Sequence, residues 1–196
     1  MKPIIQWEYP QPRAGLAGAL DRLLGPGMTL AEIVVLGLFV GLATVALPVY
    51  VFSKGLGWTP LQLFIGTYLA FDLSGGIVAN ASSTTKRWYH RAGQGYRDHL
   101  GFVAVHLVYI LAVTWILRAG DWLYFAVLSV YLLVAATIVL KMPLYLQRPV
   151  ALGLFVIVLL LDFYAWIPTP GLEWFVPFLF LKLLVSHILR EEPYRP

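Results

Sequence analysis

The chain has 196 residues, of which 60% are hydrophobic and 12% charged. A soluble domain is about 45–50% apolar and about a quarter charged, and a globule of this length cannot hide such an excess from water, so an ordinary soluble domain is excluded and lipid is the natural solvent. The net charge of +4 sits in basic residues between apolar runs, which reads as membrane topology rather than a nucleic-acid surface, and the absence of cysteine excludes disulfides, thiolate metal sites and a cysteine nucleophile.

Residues Met1–Met28 carry Pro3, Pro10, Pro12 and Pro26 among charges, which is not the pattern of a cleavable signal. Within them, Ala14–Leu24 places Leu16, Leu20, Leu23 and Leu24 at helical spacing beside Arg13, Asp21 and Arg22. That pattern predicts a short amphipathic helix lying in the membrane interface.

A helix needs about 20 apolar residues, at about 1.5 Å each, to cross the hydrocarbon. Six stretches meet this: Thr29–Phe52, Leu61–Ala81, Leu100–Leu117, Trp122–Leu140, Pro149–Ile167 and Leu172–Leu189. Gly37 and Gly41 in the first form a GxxxG pair suited to close helix approach. Trp58, Trp88, Trp115, Trp122, Tyr145, Trp166 and Trp174 lie near span ends, as an interfacial belt requires. The expected fold is all-α: a polytopic membrane protein with six transmembrane helices in a single bundle and a short N-terminal interfacial helix. Residues 1–28 form the arm, 29–190 the transmembrane domain and 191–196 the tail.

Six crossings put both ends and the loops after spans 2 and 4 on one side. That side holds Lys2, Arg13, Arg22, Lys86, Arg87, Arg91, Arg97, Lys141, Arg148, Arg190 and Arg195; the other holds Lys54 and Arg118. With Lys182 inside a span, this accounts for all 14 basic residues. The bias orients both termini to the cytoplasm of a plasma (inner) membrane.

An ionisable side chain at the bilayer centre costs about 2.5–3.5 kcal/mol on insertion scales and needs a reason. Asp72, His106, Asp162 and Lys182 are such residues. By the helical rise, Asp72 and His106 lie about 18 Å from the non-cytoplasmic end, Lys182 about 16–17 Å and Asp162 about 9 Å. Lys182 has two candidate partners, Asp72 and Asp162. Around Asp72, the residues Gly76, Ala79 and Ser83 make a small, polar stripe flanked by Gly75 and Asn80. His99 and His106 share a face of the third span, and Ser186 follows Lys182, with His187 pointing away. Together these faces suggest a crevice between spans 2, 3 and 6, open to the cytoplasm.

The segment Asn80–Arg91 would form its mouth. Hydroxyls followed by clustered cations and aromatics suit an anionic headgroup, although Lys86, Arg87 and Arg91 also serve as topology signals. The expected function is binding or processing of an anionic amphiphile, a lipid or an isoprenoid. Asp72 and His106 would act as acid/base or orienting groups and Lys182 as charge stabiliser. Lys86, Arg87 and Arg91 would clamp the headgroup, with Asn80, Ser83, His90 and His99 lining the approach. Serine and threonine hydroxyls lie near these histidines, but no G-x-S-x-G elbow assigns a nucleophile. Asp72, His90, His99 and His106 offer metal donors without a ligand spacing, so no metal is assigned, and no motif names a cofactor or decides whether the protein is an enzyme. A small oligomeric proton- or ion-coupled carrier is the alternative reading, and a subunit or scaffold of a membrane complex the third. The expected partners are membrane lipids, with a second copy or a membrane complex as the protein alternatives.

Overall fold

The computed structural model describes residues 4–195; Lys2, counted above among the basic residues of one side, lies outside them. Eight helices follow in order: α1 (Gly15–Leu24), α2 (Leu30–Ser53), α3 (Pro60–Ala81), α4 (Ser83–Tyr89), α5 (Tyr96–Leu117), α6 (Trp122–Lys141), α7 (Leu144–Ala165) and α8 (Phe175–His187). Five of them (α2, α3, α5, α6 and α7) are long and apolar enough to cross a membrane. Their outward faces carry Val34, Leu38, Phe39, Leu42, Val130, Val134, Val156 and Ile157 in the open. Apolar surface on that scale is stable only against lipid. The chain is a polytopic helical membrane protein.

Local chemistry sets the helix ends. Thr29 and Glu32 form a reciprocal capping box at the start of α2, and Thr59 and Gln62 another at α3, where Pro60 occupies the first turn. Gly55 and Gly57 adopt positive φ between them, which lets α3 turn back along α2. Ser82 then takes an extended conformation, ending α3 and capping α4 through its side chain on the Thr85 N–H. Helix α5 is irregular. At His106 it tightens, with the Tyr109 N–H bonded to the His106 carbonyl, and over Val113–Leu117 it widens into a π turn.

Two expectations change. The fifth span begins at Leu144 instead of Pro149, because proline near a helix start removes few hydrogen bonds and Pro149 is accommodated inside α7. The sixth stretch, expected over Leu172–Leu189, yields the shorter α8, of about 20 Å by helical rise. Its hydrophobicity is that of a core helix. Phe175, Val176, Leu179, Phe180, Leu183 and Leu184 are all buried against the other helices, so α8 is apolar all round because protein surrounds it. It nevertheless runs alongside most of α3. Gly171, just before it, packs on Trp58 at one end, and Lys86 binds the Leu189 carbonyl at the other.

Helix α2, in contrast, packs chiefly on α3 and buries only Val40, Leu47 and Val51. Gly37 and Gly41 face open space. The two chain ends meet: Ile4–Ile5 and Tyr194–Arg195 form a short antiparallel pair beside α4.

Candidate functional site

Helix α3 presents Asp72, Gly76 and Asn80 at i, i+4 and i+8, a single stripe facing α8. Gly76 makes the approach possible, since a Cβ there would lie 2.2 Å from Lys182 Cε. Through this gap the Lys182 ammonium reaches Asp72 Oδ2 at 2.5 Å and the Asp72 carbonyl at 3.4 Å. Asp72, and not Asp162, is therefore the partner. Among the described residues Asp162 makes no ion pair.

The two halves of the pair differ in exposure. The Lys182 side chain is 4% exposed and that of Asp72 28%. Tyr68 and Phe71 on α3, and Val105 and Val108 on α5, are all exposed. A partly exposed carboxylate thus stands about halfway along α3, among exposed aromatic and apolar side chains. The Tyr109 ring sits 5.7 Å from Lys182 Nζ, and the Tyr109 and Tyr68 hydroxyls are 3.3 Å apart. His106 packs edge-on to Tyr109, with ring centroids 5.1 Å apart. Its Nδ1–H donates to the Phe102 carbonyl at 2.7 Å, which leaves Nε2 as the acceptor in the neutral ring. The expected triad of Asp72, His106 and Lys182 is brought to one region, with Tyr109 completing it.

A second cluster lies towards α4. Asn80 fixes its polarity: Nδ2 donates to the Gly76 carbonyl, so Oδ1 accepts from His187 Nδ1 at 3.4 Å. His187 Nε2 then accepts from His99 Nδ1 at 3.2 Å. His90 stacks on His99 at 4.6 Å and donates from Nε2 to the His187 carbonyl at 3.0 Å. Phe102 separates the two clusters, stacked on His187 at 3.9 Å and tilted against His106 at 4.7 Å. All four histidines are engaged, yet no hydrogen bond joins His106 to His187. Among the described residues no three potential ligands converge in a way that would hold a metal ion.

The predicted rim has a different geometry. Helix α4 donates to the carbonyls that helix ends leave unpaired. Lys86 Nζ binds the Ser186 and Leu189 carbonyls, each at 2.6 Å, at the end of α8. Thr85, Trp88 and Tyr89 bind the carbonyls of Leu24, Arg22 and Leu23 at the end of α1. Arg87 reaches the Glu8 carbonyl at 2.9 Å and that of Pro26 at 3.0 Å, while Arg91 folds back over the Trp88 ring and bonds its carbonyl. Ser83 accepts from the Tyr194 N–H. Lys86 and Arg87 are thus buried inside protein, Arg91 rests on α4 itself, and the three do not converge on one anion. Burial pulls the Lys86 ammonium down to about 8 despite the opposing Glu191 charge, and holds His90 neutral, down to about 3.

Several partners were not legible in the residue spacing. His187 was expected to point away from Lys182. Over Leu181–His187, however, α8 is a π helix, in which residues five apart are hydrogen-bonded neighbours, and this brings both onto the α3 face. Glu32 is the other. Besides capping α2 it accepts from the Thr84 N–H and hydroxyl and pairs with Arg195 at 3.3 Å, joining both chain ends to α4.

Searches of protein families, curated proteins and solved structures return no match to this chain.

Proposed function

We propose that this protein binds, and acts on, the anionic head of a membrane amphiphile, a lipid or isoprenoid, at the Asp72–Lys182–Tyr109–His106 cluster. One observation carries the reading: the carboxylate paired with a buried lysine is partly exposed at mid-helix, among exposed aromatic and apolar side chains. A charge in that position is expensive in lipid and needs a use. A purely structural pair in lipid would need its remaining lone pairs satisfied by further hydrogen bonds to repay its desolvation. An amphiphile entering between α3 and α5 would keep its chain against Phe71, Val105 and Val108. Its head would exchange with Asp72 for the Lys182 ammonium, with the Tyr109 hydroxyl and His106 Nε2 as the groups able to donate or accept a proton. In this arrangement the protein crosses the membrane six times, α8 supplying the sixth passage, with both termini in the cytoplasm and the exposed Leu16, Leu20 and Leu23 of α1 in the interface. The eleven-to-two division of basic residues and the pairing of the two chain ends support that orientation.

The test is the amphiphile that accompanies the protein. Wild type, Asp72→Asn and Lys182→Met are extracted into polymer nanodiscs and their lipids compared by mass spectrometry. A species enriched in wild type and depleted in Lys182→Met supports the reading. Identical lipid profiles in three equally folded proteins overturn it. A second reading, proton-coupled transport, is favoured by the same ion pair lying within a membrane-length helix. Flux into liposomes that Asp72→Asn abolishes, with the lipid profile unchanged, would replace the first reading by the second.

A further inference from the structure

A polar cleft of about 490 Å³ lies at the α4 end of the bundle, lined by Ser83, Lys86, Arg148, Arg190, Glu191 and Glu192. Its chemistry is that of an incompletely filled anion site. The Lys86 ammonium has three N–H donors and only 3% of its side chain is exposed. Two donors serve the Ser186 and Leu189 carbonyls. The third faces Glu191 Oε2 at 3.6 Å, beyond hydrogen-bond range. The other Glu191 oxygen is held by Arg148, so one tail carboxylate is shared between two cations and stands at ion-pair distance, not hydrogen-bond distance, from the buried one. Ser83 Oγ accepts from the Tyr194 N–H and makes no bond through its own hydrogen among the described residues. Arg190 lies over the Trp7 ring at 4.7 Å and adds a third positive charge. Glu192 is engaged by the Tyr194 hydroxyl at 3.1 Å.

We propose that this cleft binds the phosphate of an anionic lipid headgroup, with the Glu191 carboxylate as the displaceable occupant. A phosphate offers oxygens for the third Lys86 N–H, the Arg148 fork and the Ser83 hydroxyl at once, where the single carboxylate reaches only some of them. The lipid source follows from where Arg148 stands. It is a 64% exposed side chain on α7, between Leu144 at 60% and Leu152 at 44% on the same helical stripe, which continues to the exposed Val156. A guanidinium set at one end of an apolar, membrane-length helix matches a headgroup above its acyl chains. The site is separate from the Asp72–Lys182 cluster, and its success or failure leaves that reading untouched.

The experiment titrates delipidated protein in neutral detergent with dioctanoyl phosphatidylglycerol, dioctanoyl phosphatidylcholine and inorganic phosphate, read by calorimetry. Phosphatidylglycerol should bind, about tenfold more weakly to Arg148→Ala and several-fold more tightly to Glu191→Gln. Arg148 is 64% exposed, so Arg148→Ala should keep the wild-type melting point. Glu191→Gln, which takes a counter-charge from buried Lys86, is compared as folded protein below its own melting point, and Arg97→Ala, an exposed cation outside the cleft, should bind phosphatidylglycerol as wild type does. Inorganic phosphate binding with the same dependence on Arg148 and Glu191 supports the anion site and makes a free phosphate its ligand. Binding only of the anionic lipid makes the headgroup the ligand. Equal affinity for phosphatidylcholine, or an affinity for phosphatidylglycerol that neither substitution changes, overturns the proposal.

Discussion

Gly76→Ala tests the central geometry because it adds one methyl group where Lys182 passes. The new Cβ would lie 2.2 Å from Lys182 Cε, and ordinary carbon contact is about 3.5 Å, so the side chain must withdraw by about 1.3 Å. Moved by that amount, the ammonium stands about 3.8 Å from Asp72 Oδ2 instead of 2.5 Å. At an effective dielectric of about 20, the Coulomb attraction then falls by about 2 kcal/mol. The partial exposure of Asp72 reduces that figure, and alanine returns up to about 1 kcal/mol of helix propensity over glycine. The net expectation is a loss of about 1 kcal/mol, read as the shift of a denaturant or detergent unfolding midpoint. A double-mutant cycle isolates the cause. In a Lys182→Ala background the clash is gone, and Gly76→Ala should be neutral or stabilising. If Gly76→Ala destabilises both backgrounds equally, the methyl is meeting something other than Lys182, and the account of this pair fails.

Lys86→Met should destabilise by about 2–4 kcal/mol, because the Ser186 and Leu189 carbonyls lose their donor in a buried place; hydrogen exchange at the end of α8 should accelerate ahead of the rest of the bundle. Glu32→Ala removes the α2 capping box and the Arg195 partner together, and about 2 kcal/mol should be lost, with the C-terminal tail becoming open to carboxypeptidase. His90 is held neutral with a folded-state value of about 3 against 6.5 in the unfolded chain. The unfolded state therefore takes up the proton first, so His90 lowers stability progressively as pH falls from about 6.5 to about 3. His90→Gln should flatten that part of the stability profile, and an unchanged acid slope would show that the imidazolium charge whose burial is avoided is not on this ring.

The membrane architecture was legible because lipid imposes a length and a composition that few other environments tolerate. α2 and α6 begin or end within a residue or so of the apolar runs that predict them. The same rule is less specific for α8, since an apolar run records absence of water and does not distinguish lipid from protein. Leu172–Leu189 read as a span, while the burial of Phe175, Leu179 and Leu183 identifies a helix enclosed by its neighbours. Counting residues brings Asp72, His106 and Lys182 to one region, because a single tight or wide turn changes the rise along a helix by only an ångström or so. Direction around the axis was less secure. It fails where the hydrogen-bond ladder changes from i+4 to i+5, and this is why His187 was misdirected.

The basic segment Lys86–Arg91 shows why charge alone could not distinguish a ligand clamp from a structural hub. A cation near a membrane surface can meet a phosphate, but it can equally meet the carbonyls that every helix leaves unpaired at its C-terminus. Here α1 and α8 both end against α4, and Thr85, Lys86, Trp88, Tyr89 and His90 donate to their terminal carbonyls. With those demands met, the donors the cleft offers an anion are the Ser83 hydroxyl and, one on each side of Glu191, the third N–H of Lys86 and the guanidinium of Arg148. Chain segments far apart in sequence create that remainder, because Arg148 comes from α7 and Glu191 from the tail. The helix ends therefore take most donors of the Lys86–Arg91 run, and the proposed anion site keeps only Lys86 of it, in the cleft between α4, α7 and the tail.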